Sequence, residues 1–284
     1  MPGYSREFVE ARRSRLMLRF STAEWLASLA LIVSAVAAAG GLFGRNLYRD
    51  NPFWVEQTRG IDLATLCLAV PILVVSLLLV ARGWRLAVPI ELGVLLYLAY
   101  NYAIYSTSVA MNRFALLYVA VLGLSLWGAI LLASSPSLAV ASRTLPGTSH
   151  GRVAAIFLLV VAALFGLLWL SQILSSTISG ALPVDLKRTG LPANPVYALD
   201  LAVFLPLAVI AGVGVLRNLS PAADFALPML VWVVLTSAGI VGGFFFEARA
   251  GETVPIPIAG LIGLLGVLAI VLAGVVLQAA SRTG

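Results

Sequence analysis

The sequence predicts an all-α integral membrane protein, a polytopic helical bundle of about eight transmembrane helices, possibly two four-helix repeats. Three observations carry that expectation. Hydrophobic residues make up 61% of the 284 positions and charged residues only 11%, so a water-soluble fold has too few charges to cover its apolar surface. The apolar runs are long, nearly uncharged and free of strand-type alternation, which favours helices over an outer-membrane barrel. The basic residues collect at the ends of these runs, where they set topology, so the net charge of +6 does not point to nucleic acid as a partner.

Residues 1–23 form a basic amphipathic arm in which Arg6, Arg12, Arg13, Arg15 and Arg19 alternate with Phe8, Leu16, Leu18 and Phe20. Such an arm is expected to lie on anionic lipid headgroups at the cytoplasmic face. Spans one to four occupy 24–135. The first, Trp25 to Gly44, ends in Ala37-Ala38-Ala39-Gly40, small residues that also suit a signal peptidase, but the run is long enough to span. An outer loop, Arg45 to Gly60, carries Asn51-Pro52 and leads to the second span, Ile61 to Ala81, with Asp62 at its mouth and Pro71 inside. Arg82-Gly-Trp-Arg85 turns the chain into the third span, Ala87 to Thr107, and Arg113 precedes the fourth, Phe114 to Ala133.

A connector over 136–152, with Arg143 and His150, separates this half from spans five to eight over 153–280. These are Val153 to Leu174; Val196 to Leu216, with Asp200 near its start and Pro206 inside; Phe225 to Phe246; and the glycine-rich Ile256 to Leu277. With the amino terminus inside, eleven Arg fall on the cytoplasmic side and seven Arg or Lys outside. The bias places both termini in the cytoplasm. Seventeen Arg against the single Lys187, with abundant Ala, Gly and Leu, suggest a GC-rich bacterial gene and hence a bacterial cytoplasmic (inner) membrane.

The halves share Asp62-Leu63-Ala64 and Asp200-Leu201-Ala202, a later proline, and a preceding Asn-Pro pair. An even number of spans per half makes a repeat parallel, about an axis along the membrane normal.

The ligand-binding candidates are Asp62, Tyr97, Asn101, Tyr105 and Asp200. On a helix at about 100° per residue, Tyr97, Asn101, Tyr105, Ser108 and Asn112 share an arc of roughly 80°, a polar stripe that should not face lipid. The outer end of the stripe suits an interfacial belt, whereas Tyr97 and Asn101 lie deep enough to need an interhelical partner, water or a ligand. Asp62 and Asp200 suit helix amino termini as capping or dipole-favoured carboxylates, or else face an outward cavity and bind a cation or proton. Glu91, near Arg82 and Arg85, suggests an inner-interface salt bridge. Gly40 with Gly44, and Gly239 with Gly243, suit close helix packing.

Other chemistry is poorly represented. One cysteine, Cys67, and one histidine, His150, leave no disulfide, no clustered thiolate or imidazole metal site and no bis-histidine haem within one chain, and no metal or cofactor is expected. A phosphate-binding glycine loop, a dinucleotide fingerprint, a serine–histidine pair and an intramembrane lysine are also missing from the sequence.

Asp62-Leu63, Leu96-Tyr97, Tyr100-Asn101-Tyr102, Asn112-Arg113-Phe114 and Leu116-Leu117-Tyr118-Val119-Ala120 resemble a pattern in a family of bacterial multi-pass membrane proteins that carry no assigned activity. The resemblance covers spans two to four and implies no catalytic residues. Three functions fit. The first is a small-molecule or ion carrier with an outward-facing polar cavity. The second is a non-transporting membrane subunit or sensor, whose polar residues are interhelical glue and whose partner is another membrane protein. The third is a membrane-embedded enzyme using paired carboxylates, which needs Asp62 and Asp200 in one pocket.

Overall fold

The computed structural model describes residues 20–282; Arg6, Arg12, Arg13, Arg15 and Arg19 of the amino-terminal arm lie outside them. The chain forms the expected all-α bundle, with eight helices long and apolar enough to cross a membrane and no strand among the described residues. They are α1 (Thr22–Phe43), α2 (Pro52–Ala81), α3 (Arg85–Ser108), α4 (Ala115–Ala133), α5 (Ser149–Ser179), α6 (Pro195–Leu216), α7 (Ala222–Arg249) and α8 (Ile256–Ser281). Connections after α1, α3, α5 and α7 lie at one end of the bundle, here the odd-loop end. The others lie at the even-loop end.

Two helices begin earlier or run longer than hydropathy indicates. α2 starts at Pro52, where the Asn51 side chain accepts from Phe53 N and proline occupies the first turn, a start that needs no apolar residue. Thirty residues make α2 about 45 Å long, well beyond the roughly 30 Å hydrocarbon thickness. Asp62 is therefore ten residues into a helix instead of capping one. α5 likewise continues to Ser179 and ends on the left-handed Gly180. A short helix, Val184–Thr189, crosses the following loop.

α6 begins in the same way as α2, with Asn194 accepting from Val196 N and Pro195 in the first turn. Both helices then contain one π-helical turn, Thr65–Ala69 and Asp200–Phe204, closed by Val70 N to Thr65 O and Leu205 N to Asp200 O. Pro71 and Pro206 follow two residues after each turn. A proline lacks the N–H for its own helical bond and crowds the carbonyl four residues back, and a widened turn relieves both. Measured from these turns, Thr65 and Asp200 hold the same position, whereas the two Asp-Leu-Ala tripeptides are three residues out of register.

α3 stands at the centre. In its most apolar 18-residue window 83% of residues are buried, against 56% for α7 and 28% for α5 and α8. It packs on α4, α7 and α2, and more lightly on α6 and α1; α7 packs on α2, α8 and α3, while α1 pairs with α4 and α5 with α6. Lipid receives the opposite faces, for example Val153, Ile156, Val160, Leu164 and Leu167 of α5, exposed at helical spacing.

A close helix crossing joins α2 to α7. A Cβ on Gly60 would overlap the backbone of Gly242 and Gly243, so the two helices touch main chain to main chain there. The pair Gly40 and Gly44 serves differently, since Gly40 seats the Phe114 ring of the α3–α4 loop. Glu91 makes no salt bridge: Arg85 donates instead to Ser137 Oγ, and both Glu91 carboxyl oxygens are buried without a hydrogen-bond partner among the described residues. Gly60→Val is expected to cost about 1–3 kcal/mol of stability through overpacking, read as a lower thermal midpoint in detergent. Gly263→Ala on α8, where a Cβ meets open space, should leave that midpoint unchanged, and equal effects would refute the assignment.

Candidate functional site

A cavity of about 400 Å³ separates two groups of helices. α2, α3 and α7 supply Gln57, Ile61, Asn101, Trp232 and Thr236 on one side; α5, α6 and α8 supply Phe165, Trp169, Asp200, Ile262 and Leu265 on the other. Asp185, Arg188 and Thr189 of the short loop helix place its mouth at the odd-loop end. The opening follows from how α5 packs. Its buried residues run from Gly151 to Ala162, and none from 163 to 179 is buried.

The polar atoms of this wall are unusually short of partners. Five of the nine buried side-chain polar atoms that lack one among the described residues belong to cavity-lining residues: Trp54 Nε1, Asp200 Oδ1, Trp232 Nε1, Thr236 Oγ1 and Glu247 Oε2. Buried polar atoms are normally paired, so this clustering marks a place that water or a ligand completes. Asp200, 5% exposed, accepts at Oδ2 from Trp169 Nε1 at 2.7 Å. The Tyr100 hydroxyl stands near enough to interact with the carboxyl without meeting Oδ1 in hydrogen-bond geometry. Tyr100, Phe204 and Trp232 form a ring cluster with centroids 4.9 to 5.5 Å apart, the Phe204–Trp232 pair stacked. Nearer the mouth, Gln57 Nε2 donates to Glu247 Oε1.

The lining carries three acidic side chains, Asp185, Asp200 and Glu247, against one guanidinium, Arg188. Arg188 is already committed, 3.4 Å from Glu252 and 3.8 Å above the Phe53 ring. The site is thus an apolar and aromatic space with more acidic than basic groups.

Of the five residues expected at a ligand site, Asn101 and Asp200 line this cavity. Asn101 does not bridge helices: its Nδ2 donates at 2.9 Å to Tyr97 O on its own helix. Tyr97, Tyr105 and Asp62 face α2 and the first loop in a separate, closed network. Tyr97 Oη meets Thr65 Oγ1 at 3.1 Å and Ile61 O at 3.3 Å. Tyr105 Oη meets Thr58 O at 2.9 Å and Asp62 Oδ1 at 3.1 Å, and Tyr48 Oη donates to Asp62 Oδ2 at 2.5 Å. Burial and the adjacent Asp62 raise the pKa of Tyr48 far above the usual tyrosine range, so this hydroxyl stays a donor. Tyr105 is buried instead of sitting in an interfacial belt. The helical stripe ends at Ser108, and Asn112 instead turns the loop by accepting from Phe114 N. Asp200 lines this cavity and Asp62 does not, so the two carboxyls are not brought together here as a paired-carboxylate enzyme needs.

Trp169, Tyr100 and Trp232 are cavity residues that sequence reasoning does not single out. An indole or phenol in an apolar span reads as core or interface until the surroundings of its polar atom are seen. Among the described residues no three of His, Cys, Asp and Glu converge as a metal site requires.

Fold and site together define a multi-pass membrane protein with an internal, acidic, aromatic-lined cavity. Comparison with protein-family models, with curated proteins and with solved structures returns no match.

Trp169→Phe removes the donor to Asp200 Oδ2 and is expected to cost about 1–3 kcal/mol. The check is chemical unfolding of the purified protein; unchanged stability would mean that this bond contributes nothing.

Proposed function

We propose that this chain is a carrier, in a bacterial cytoplasmic membrane with both termini inside, for an amphipathic organic ammonium ion taken into the cavity from the outer side. The observation that carries the proposal is the set of unpaired acceptors, Asp200 Oδ1 and Glu247 Oε2, on a cavity whose lining is otherwise mainly apolar and aromatic. An ammonium N–H completes those acceptors, an alkyl chain fills the apolar remainder, and aromatic faces favour a cation. The excess of acidic over basic groups on the lining disfavours anionic amphiphiles. Movement is supported by the π turns of α2 and α6, each beside a proline, since such turns weaken a helix where transporters bend.

The non-transporting subunit or sensor is the second reading. It is favoured by one observation: Tyr97 and Tyr105 of the α3 stripe are hydrogen-bonded entirely within the chain, as interhelical glue should be.

Decylammonium, decanol and decanoate, offered to the protein in nanodiscs, separate charge from chain length. Only decylammonium is expected to raise the thermal midpoint with concentration, and Asp200→Asn to abolish the response without lowering the unliganded midpoint. Equal stabilisation by all three, or none by the amine, would count against the site. Uptake of decylammonium into proteoliposomes above a protein-free control decides between carrier and subunit.

A further inference from the structure

The Asp62 cluster lies apart from the cavity, and tyrosine protons alone do not supply its hydrogen bonds. Tyr105 Oη is within bonding distance of two acceptors, Thr58 O at 2.9 Å and Asp62 Oδ1 at 3.1 Å. A phenol carries one proton and a carbonyl oxygen only accepts. When Tyr105 gives its proton to Thr58, its contact with Asp62 is a hydrogen bond only if the carboxyl is the donor. Tyr48 donates to the other oxygen, Oδ2, so a carboxylic acid with its proton on Oδ1 satisfies every atom of the cluster.

The surroundings agree. Asp62 is 1% exposed. The titratable groups facing it are Tyr48 from the first loop, Tyr97, Tyr102 and Tyr105 from α3, Tyr118 from α4 and Arg59 from its own helix. α1 contributes Gly41, where an added Cβ would overlap Asp62 Oδ2 and Tyr48 Oη. The nearest acid of α7, Glu247, is turned to Gln57. Arg59, the one cation in the set, is drawn away, 3.3 Å from Glu56 and 4.5 Å over the Phe246 ring. A buried carboxylate whose only cation is engaged elsewhere needs a proton or pays for its charge.

We propose that Asp62, Tyr48 and Tyr105 form a proton-binding site, separate from the cavity, that takes up and releases one proton at the odd-loop end. In the loaded state Asp62 Oδ1–H donates to Tyr105 Oη. On release the proton leaves Oδ1 for water that reaches the cluster from the loop side, where Tyr48 is partly exposed. The Tyr105 O–H then turns from Thr58 O to Oδ1, and the carboxylate keeps two phenolic donors. No bond other than O–H is made or broken. The site goes beyond the carrier reading and needs no ligand in the cavity.

Infrared spectra of the protein in nanodiscs at neutral pH test this. The wild-type minus Asp62→Asn difference is expected to contain the C=O stretch of a carboxylic acid, shifted in D₂O. Asp200→Asn and Glu91→Gln should leave that band in place. Tyr105→Phe removes the acceptor and should move it to higher frequency. The asparagine amide can donate to Tyr105 as the acid does, so Asp62→Asn is expected to fold. Should it not, Tyr105→Phe decides alone, since a band unmoved by that change overturns the proposal. Lack of a carboxylic acid band in the difference at neutral pH overturns it equally, whether or not the cavity binds decylammonium.

Discussion

A polar side chain that enters hydrocarbon must find its partner inside the protein, because no water is present to replace it. α3 carries more of this obligation than any other span. Tyr97 is met by Thr65 and Ile61 O, Tyr105 by Thr58 O and Asp62, and Tyr102 by Ser34 O of α1. These bonds fix α1 and α2 against α3 at a set depth and rotation. The Tyr102, Tyr105 and Tyr118 rings, 5.1 to 6.1 Å apart, bring in α4. The central place of α3 follows from this chemistry, since only a helix enclosed by others can have the hydroxyls of Tyr97, Tyr102 and Tyr105 all answered.

The second half repeats the device incompletely. α6 has the same Asn-Pro start, π turn and following proline as α2, and at the first π position Asp200 stands where Thr65 does. α2 closes on α7 through Gly60 with main chain against main chain, whereas α6 meets α3 more lightly and the far half of α5 has no buried residue. The result is a closed side built on Asp62 and an open side built on Asp200. The same carboxyl group is fully bonded in one place and half bonded in the other, and the unpaired atoms on the open side define the cavity.

Much of this was legible in the sequence because the membrane imposes simple demands. Span number, the helical class and the burial of the Tyr97–Tyr105 face follow from apolar length and from where polar residues interrupt it. Helix ends were less legible. Polar first turns such as Pro52 to Arg59 look like loop to any hydropathy argument, so Asp62 read as a helix-capping residue when it lies ten residues inside α2. The site was half legible. Asn101 and Asp200 stand out as polar residues in apolar runs, but Trp169, Tyr100 and Trp232 do not, because an aromatic residue in a span is ordinary whether or not its polar atom is paired.

The sequence by itself determined that the chain crosses a membrane about eight times, that the third span must be enclosed, and that two aspartates stand at the starts of apolar runs. Only the tertiary structure decided that these aspartates belong to different environments, that Asn101 bonds its own helix, and that Glu247 and the tryptophans join Asp200 around a cavity. The physical reason is that burial depends on one helix at a time and can be read from its periodicity. Pairing of polar atoms depends on the relative depth and rotation of two or three helices far apart in the chain, which no single span encodes.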